Sequence, residues 1–213
     1  SEMFSKVLLI CGTKYRIGLS ATPTRRDGLQ CVYNMHIGPV IHKEKRTKNN
    51  NLCIKQVILD SNSHYYKTLY YNDEKTKNNS KMVTNITLCP QRNKFIVDLL
   101  LQLNREKRKT LLLSSRREHL HTIKDLLNEN NFTSVGFYYG NKSMSKKEYK
   151  NMLFTSSKCE IILATEQLAK EGLDIPDLDT LVMTTSISEI GALEQSIGRI
   201  LRKFYDNTML CPT

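Results

Sequence analysis

From Asn93 onward the sequence alternates between two hydrophobic periods, and this alternation constrains the fold more than any other feature. Phe95, Ile96, Leu99, Leu100 and Leu103 repeat at helical spacing, after which Thr110–Leu113 reads as a buried strand. Ser115 and Glu118 have the spacing of a capping box and open a second helical pattern through Leu120, Ile123 and Leu127. Val135–Tyr139 reads as a strand ended by Gly140, Met144–Phe154 as a helix, Glu160–Ala164 and Leu178–Thr184 as strands, and Glu189–Leu201 as a helix. These strands are continuously apolar rather than alternating, so both of their faces must be covered. The pattern predicts an α/β fold, a parallel sheet with helices on both faces. No internal repeat is visible.

The first part of the chain is less regular. Residues 3–12 carry Phe4, Val7, Leu8 and Cys11 at helical spacing, and Tyr15–Leu19 reads as a short strand running into Ser20-Ala21-Thr22-Pro23 and a basic turn through Gly28. Lys43–Asn51 lacks apolar residues and reads as a linker, while Leu52–Leu59 alternates as a half-buried strand would. His64–Tyr71 has the look of an amphipathic helix and Asn72–Lys81 that of a mobile polar loop. At 213 residues the chain suits one domain or a domain and a half. A hydrophobic fraction of 39% with 5 Pro and 9 Gly excludes collagen-like and wholly disordered readings. No apolar run is long enough for a membrane-spanning helix, and Ser1-Glu2-Met3-Phe4 lacks the basic start of a secretory signal, so no membrane partner is expected.

The six cysteines are scattered without a C-x-x-C pair, which points to reduced thiols in a cytosol-like compartment; Cys11, Cys53 and Cys159 lie in apolar runs and read as small core hydrophobes. No Cys/His cluster suggests a metal site, and His119 and His121, two apart, do not share a helix face. The net charge of +11 suits a polyanionic partner, yet Lys outnumbers Arg by 21 to 11 and Asn is abundant, as coding bias in an AT-rich genome would also produce. Charge alone leaves those two explanations level.

In parallel sheets ligand-contacting residues gather beyond the carboxyl ends of strands. Three such places carry suggestive groups. Ser114-Ser115-Arg116 follows the first strand of the regular region. Thr165-Glu166-Gln167 follows a later one and leads to Glu171-Gly172-Leu173-Asp174. The helix after Leu178–Thr184 bears Gln195, Gly198, Arg199 and Arg202 on one face. Gly198 costs about 1 kcal/mol of helix propensity against Ala, which suggests close approach of another surface. The arginine pair fits a bidentate clamp on phosphate and, equally, a solvated basic helix end. Tyr65, Tyr66, Tyr70 and Tyr71 around Lys67 fit base stacking or, more commonly, packing.

Taken together in order, Gly18-Leu19-Ser20-Ala21-Thr22-Pro23, Ile161–Pro176 (IILATEQLAKEGLDIP) and Glu194–Arg202 (EQSIGRILR) resemble the later motifs of superfamily 2 helicases, XPB/UvsW-like branch. Leu111–Leu120 (LLLSSRREHL) is similar to the fourth-motif region of the transcript-release-type helicases of large nucleocytoplasmic DNA viruses, those of poxviruses and African swine fever virus among them. The resemblance implies a RecA-like second lobe, with residues 1–44 as the tail of a first RecA-like lobe, 45–51 as linker and 52–213 as the second domain. It further implies that Arg199 and Arg202 are arginine fingers toward ATP, that Gln195 belongs to the same motor interface, and that Gly172 and Asp174 lie near the nucleotide. Thr165, Ser114, Arg116 and the backbone at Gly140 would hold nucleic acid, and Ser20, Ala21 and Thr22 would couple the ATP site to the strand-binding face.

A complete motor of this kind also needs a G-x-x-x-x-G-K-[ST] phosphate loop and acidic Mg²⁺ ligands. The chain holds no Gly-Lys dipeptide, Cys11-Gly12-Thr13-Lys14 has the residues in the wrong order, and Asp73-Glu74 falls in a polar segment. In the family both elements precede the Ser20-Ala21-Thr22 motif. The expectation is therefore a C-terminal fragment, inactive alone, of a protein that uses ATP and Mg²⁺. Its expected partners are the first lobe of its parent chain, nucleic acid (DNA preferred, RNA the alternative) and viral transcription machinery; its expected location is the host cytoplasm and the virion. The rival readings are a non-enzymatic RecA-like interaction module and a duplex-translocating remodelling or restriction-type motor.

Overall fold

The computed structural model describes residues 12–20, 30–43, 52–59, 62–72, 75–139, 145–166 and 177–186, together with Lys6, Ile10, Gly28, Ile175, Ile197 and Gly198. The chain divides into two compact units, Ser1–Asn49 and Asn50–Thr213.

In the first unit, Lys6 and Ile10 are helical, and the rest of the predicted 3–12 helix, Gly12 excepted, lies outside the described residues. Residues 15–19 are not a strand. Tyr15, Ile17 and Leu19 are all highly exposed, and no strand among the described residues of this unit offers them a partner. A short helix, α1 (Gln30–Ile37), was not anticipated; the Arg16 guanidinium donates to the His36 carbonyl at its end (3.1 Å).

The second unit begins with two further corrections. Leu52–Leu59 is not a strand and pairs with no described strand, and only Leu52 of it packs inward; alternation makes a strand possible, but a pairing partner is needed to form one. His64–Tyr71 is a single 3₁₀ turn at His64–Tyr66 followed by extended chain, with an isolated antiparallel bridge from Tyr70 to Lys77. The end of the predicted loop is helix α2 (Asn79–Thr87), started by Asn78, whose side chain accepts from the Lys81 N–H (3.0 Å). Its inner residues face the site described below.

The regular region folds as read, with shifted ends. Helix α3 (Pro90–Arg105) starts three residues earlier than the apolar pattern, because Pro90 occupies the first turn, where a missing N–H costs nothing. It is followed by β1 (Thr110–Ser114), α4 (Arg117–Glu129), β2 (Val135–Tyr138), α5 (Lys146–Ser157), β3 (Ile161–Thr165) and β4 (Thr180–Met183). The expected capping box at Ser115 is absent: Arg116 is the N-cap residue of α4, without a side-chain cap. A full capping box forms instead at α5, where the Ser145 hydroxyl accepts from the Glu148 N–H (3.3 Å) and the Glu148 carboxylate accepts from the Ser145 N–H (2.8 Å). These bonds hold the Glu148 carboxyl below its ordinary pKa.

All four strands are parallel, in the order β2-β3-β1-β4. One face carries Leu112, Val135, Ile161 and Leu163 against Ile96, Val97 and Leu100 of α3 and Leu120, Ile123 and Leu127 of α4. The other carries Leu111, Leu113, Tyr138, Ile162 and Ala164 against Leu153 of α5 and against Ile175 and Leu178. The strand residues therefore divide by parity, and both faces are covered, as the continuous apolar runs require. On the α5 side the backbones approach closely at Gly136: a Cβ there would lie 2.6 Å from the Ser156 Cα and 2.9 Å from its carbonyl oxygen. The Ser156 hydroxyl donates to the Phe137 carbonyl (2.7 Å) at this contact.

Among the described cysteines, Cys31, Cys53, Cys89 and Cys159 are free. Cys53 is exposed rather than a core residue, since the strand expected to bury it does not form, and Cys159 is half-buried.

Candidate nucleic-acid interface at the strand ends

The order of the sheet creates a crevice. The connection leaving β1 runs through α4 on one face, whereas the connection leaving β3 places Ile175 and Leu178 on the other. β1 and β3 are neighbours, so their carboxyl ends mark the point where the chain diverges to opposite faces, the usual place for a ligand in an open parallel sheet. Ser114 and Thr165 are register partners at those two ends. Two of the expected strand-end groups are thus brought together.

Ser114 itself is fully buried. Its hydroxyl is 3.0 Å from His119 Nδ1 and accepts the Arg116 N–H (3.2 Å). On its far side, His119 Nε2 is 3.0 Å from Asn93 Oδ1, and Asn93 Nδ2 donates to the Thr87 carbonyl (2.8 Å). That last bond orients the amide, so Asn93 Oδ1 is an acceptor and His119 Nε2 carries the proton. Nδ1 then accepts from the Ser114 hydroxyl, and every member of the chain is satisfied with the imidazole neutral. Burial, with the nearby Arg92 charge, lowers the His119 pKa to about 4. Ser114 therefore lies beneath the surface, where it anchors the backbone of the turn.

Arg116 is likewise held. Its Nε donates to the Thr84 hydroxyl (3.1 Å), and Nη2 reaches the Ser80 carbonyl (3.0 Å) and hydroxyl (2.9 Å), all on α2. The segment expected to be a mobile loop thus helps seat a predicted binding residue. Thr165, half-buried at the end of β3, remains at the crevice. Ser20 is exposed in the first unit. Ala21, Thr22, Gly140, Gly172, Asp174, Gln195, Arg199 and Arg202 lie outside the described residues. Gly198 is helical, and a Cβ there would meet no described residue within 4 Å.

Sequence reasoning missed the groups that lock the strand ends together. The Ser115 N–H donates to the Thr185 hydroxyl (2.9 Å), which donates to the Glu166 carboxylate (2.5 Å), linking the ends of β1, β4 and β3. Thr184 donates through both its N–H (3.0 Å) and its hydroxyl (2.7 Å) to the Leu113 carbonyl. Arg92 of α3 donates to the Thr184 carbonyl, and burial lowers its pKa. A polar residue in an otherwise apolar helical stripe was the available signal for His119, which belongs with Leu120, Ile123 and Leu127. Arg92 and Thr185 gave none.

Residues 91–204 match the family described as the helicase conserved C-terminal domain. The chain is 36% identical over 204 residues to "Putative ATP-dependent RNA helicase L396" of Acanthamoeba polyphaga mimivirus, covering 94% of this chain and 38% of that protein. It is 31% identical over 210 residues to "Putative helicase 161L" of Invertebrate iridescent virus 6, covering 92% and 44%. The crystal structure of T4 UvsW is similar over 62% of this chain and 26% of that one, at 26% identity and a TM-score of 0.47. The chain spans less than half the length of these two viral relatives. With more than half of its residues matched and a parallel sheet covered on both faces, the chain belongs to the helicase conserved C-terminal domain family.

Proposed function

We propose that this chain is the second motor lobe of an ATP-dependent helicase or translocase that moves along nucleic acid. The observation that carries the reading is the pairing of Ser114 with Thr165 at the divergence point of a parallel sheet, in the segments where the helicase-like motifs fall. Contacts there reach backbone phosphate and sugar, so binding is largely indifferent to sequence. DNA is the preferred track in this reading and RNA the alternative; the mimivirus relative is named for RNA.

Arg199 and Arg202 are assigned as arginine fingers and Gln195 as their neighbour, with Gly172 and Asp174 beside the nucleotide, on the strength of their motif positions. A guanidinium in that role stabilises charge on the transferring phosphoryl group. Among the described residues no group of three His, Cys, Asp or Glu side chains could hold a metal ion. The chain also lacks a G-x-x-x-x-G-K-[ST] loop, so the residues present do not make a complete site for Mg²⁺-ATP. The partner supplying that site is a first lobe on the parent chain. A viral parent would work with the transcription machinery, in the host cytoplasm and the virion.

The test is hydrolysis by the full-length parent. Arg199→Ala and Arg202→Ala should each lower nucleic-acid-stimulated turnover by about a thousand-fold or more while nucleic-acid affinity stays within a few-fold. Lost affinity with intact hydrolysis would reverse the assignment. The 213-residue chain by itself should hydrolyse no ATP, and stimulated hydrolysis by the purified chain would refute the reading of it as one lobe.

A further inference from the structure

One strand away from the crevice, the edge of the sheet carries a surface that the strand-end network does not use. β2 is the outer strand next to β3. Tyr138 is the register partner of Ala164, which puts Tyr139 level with Thr165 at about 4.8 Å, one strand spacing, to the side. The rings of Phe137 and Tyr139 are 5.2 Å apart and inclined by 71°. His121 of α4 completes the group, 4.9 Å from Phe137 and 5.6 Å from Tyr139. Two cations overlie the rings: Arg117 is 5.6 Å from the Tyr139 centroid, and Lys124 Nζ is 4.7 Å from that of Phe137.

The arrangement follows from helix geometry. Arg117, His121 and Lys124 are spaced i, i+4 and i+7, one stripe of α4, while Leu120, Ile123 and Leu127 of the same helix face the core. The acidic residues Glu118, Asp125 and Glu129 fall on the next stripe, about 100° round the helix. Charge is thus sorted by sign, with the cations beside the rings, and neither cation is ion-paired to a carboxylate among the described residues. Phe137 also packs against the core, which anchors one ring of the group. His121 is exposed and Tyr139 half-buried.

We propose that this patch is a stacking platform for the bases of single-stranded nucleic acid, with Tyr139 as the stacking ring and Arg117 and Lys124 moving from ring to phosphate as the strand binds. The proposal rests on the reading of the chain as a nucleic-acid-binding lobe and extends it by specifying the strandedness of the ligand. Aromatic faces bind bases whose own faces are open, and those of a duplex are already stacked. The cations satisfy the backbone charge, and the level of Tyr139 with Thr165 lets a strand held at the crevice continue onto the rings. Arg117 and Lys124 have long, flexible side chains, so exchanging a ring for a phosphate requires no backbone movement.

The experiment is fluorescence anisotropy of the whole chain with a labelled oligothymidylate of about 12 nucleotides, an abasic strand of the same length and charge, and a duplex. Tyr139→Ala should weaken oligothymidylate binding about ten-fold, the equivalent of about 1.4 kcal/mol, and Tyr139→Phe should restore it. The abasic strand should bind wild type and Tyr139→Ala alike. Equal binding of oligothymidylate by wild type and Tyr139→Ala overturns the platform, as does an equal loss on abasic strand and duplex, which would mean a backbone or folding effect. If a Thr165→Val variant alone weakens binding, the nucleic-acid reading stands and the platform falls; if wild type binds no strand, both fall. A polyglutamate peptide that binds wild type and is weakened as much by Tyr139→Ala would assign the patch to an acidic protein partner and overturn the proposal.

Discussion

The Ser114 hydroxyl lies 3.0 Å from His119 Nδ1, and both residues are buried at the carboxyl end of β1. The hydroxyl can donate there only while Nδ1 is unprotonated. Protonation would make Nδ1–H a second donor to that oxygen beside the Arg116 N–H and take away the acceptor of the buried hydroxyl proton. The geometry of the turn therefore depends on a neutral histidine.

Stability should depend on pH through His119. Its pKa is lowered to about 4 in the folded chain, against 6.5 in the unfolded one. Between these values the unfolded state binds more protons, so stability rises with pH. The contribution is fully present above about 6.5 and is lost as pH falls through 4, amounting to about 3 kcal/mol. Urea titrations at a series of pH values should show this slope. His119→Gln should flatten it, at a cost of about 1–3 kcal/mol at neutral pH from imperfectly paired neighbours.

Gly136→Ala should be strongly destabilising. The new Cβ would meet the backbone of Ser156 at 2.6 Å and 2.9 Å, contacts that no rotamer change relieves. A loss of about 2–3 kcal/mol is expected in chemical denaturation. Ser156→Gly should not rescue it, because the obstructing atoms include the Cα and carbonyl oxygen.

Arg116→Lys should loosen α2 without unfolding the sheet. A single ammonium cannot reproduce the Nε and Nη2 bonds to Thr84 and Ser80. Hydrogen exchange should report faster opening of amides in residues 79–87, with about 1–2 kcal/mol of local protection lost. Amides of β1 should keep theirs.

Ser145→Ala removes the capping box of α5, and a loss of about 1 kcal/mol is expected in thermal unfolding. The Glu148 carboxyl, held below its ordinary pKa by the Ser145 bonds, should titrate closer to that ordinary value in this variant. Side-chain NMR of Glu148 measures that shift.

Much of this was legible in the residues. The apolar runs Leu111–Leu113 and Ile161–Ala164 require cover on both faces, and α3, α4 and α5 provide it. Leu52–Leu59 carried an equally good strand pattern and formed no strand, because pairing depends on a partner elsewhere in the chain and not on the segment itself. Ser115-Arg116-Arg117-Glu118 and Ser145-Lys146-Lys147-Glu148 share the same capping spacing, yet only the second caps. At the first, the Ser115 N–H is taken up by Thr185 from the end of β4.

By itself, then, the sequence determined the α/β class, the elements from Asn93 to Thr184 and the positions of the helicase-like motifs, since periodicity and motif order are local properties of the chain. Only the tertiary structure decided which of those residues meet. Strand order set Ser114 beside Thr165, and packing of α3 and α4 on one face closed Asn93, His119 and Ser114 into one buried hydrogen-bonded chain. A contact between residues distant in sequence is a consequence of topology, and no periodicity encodes it.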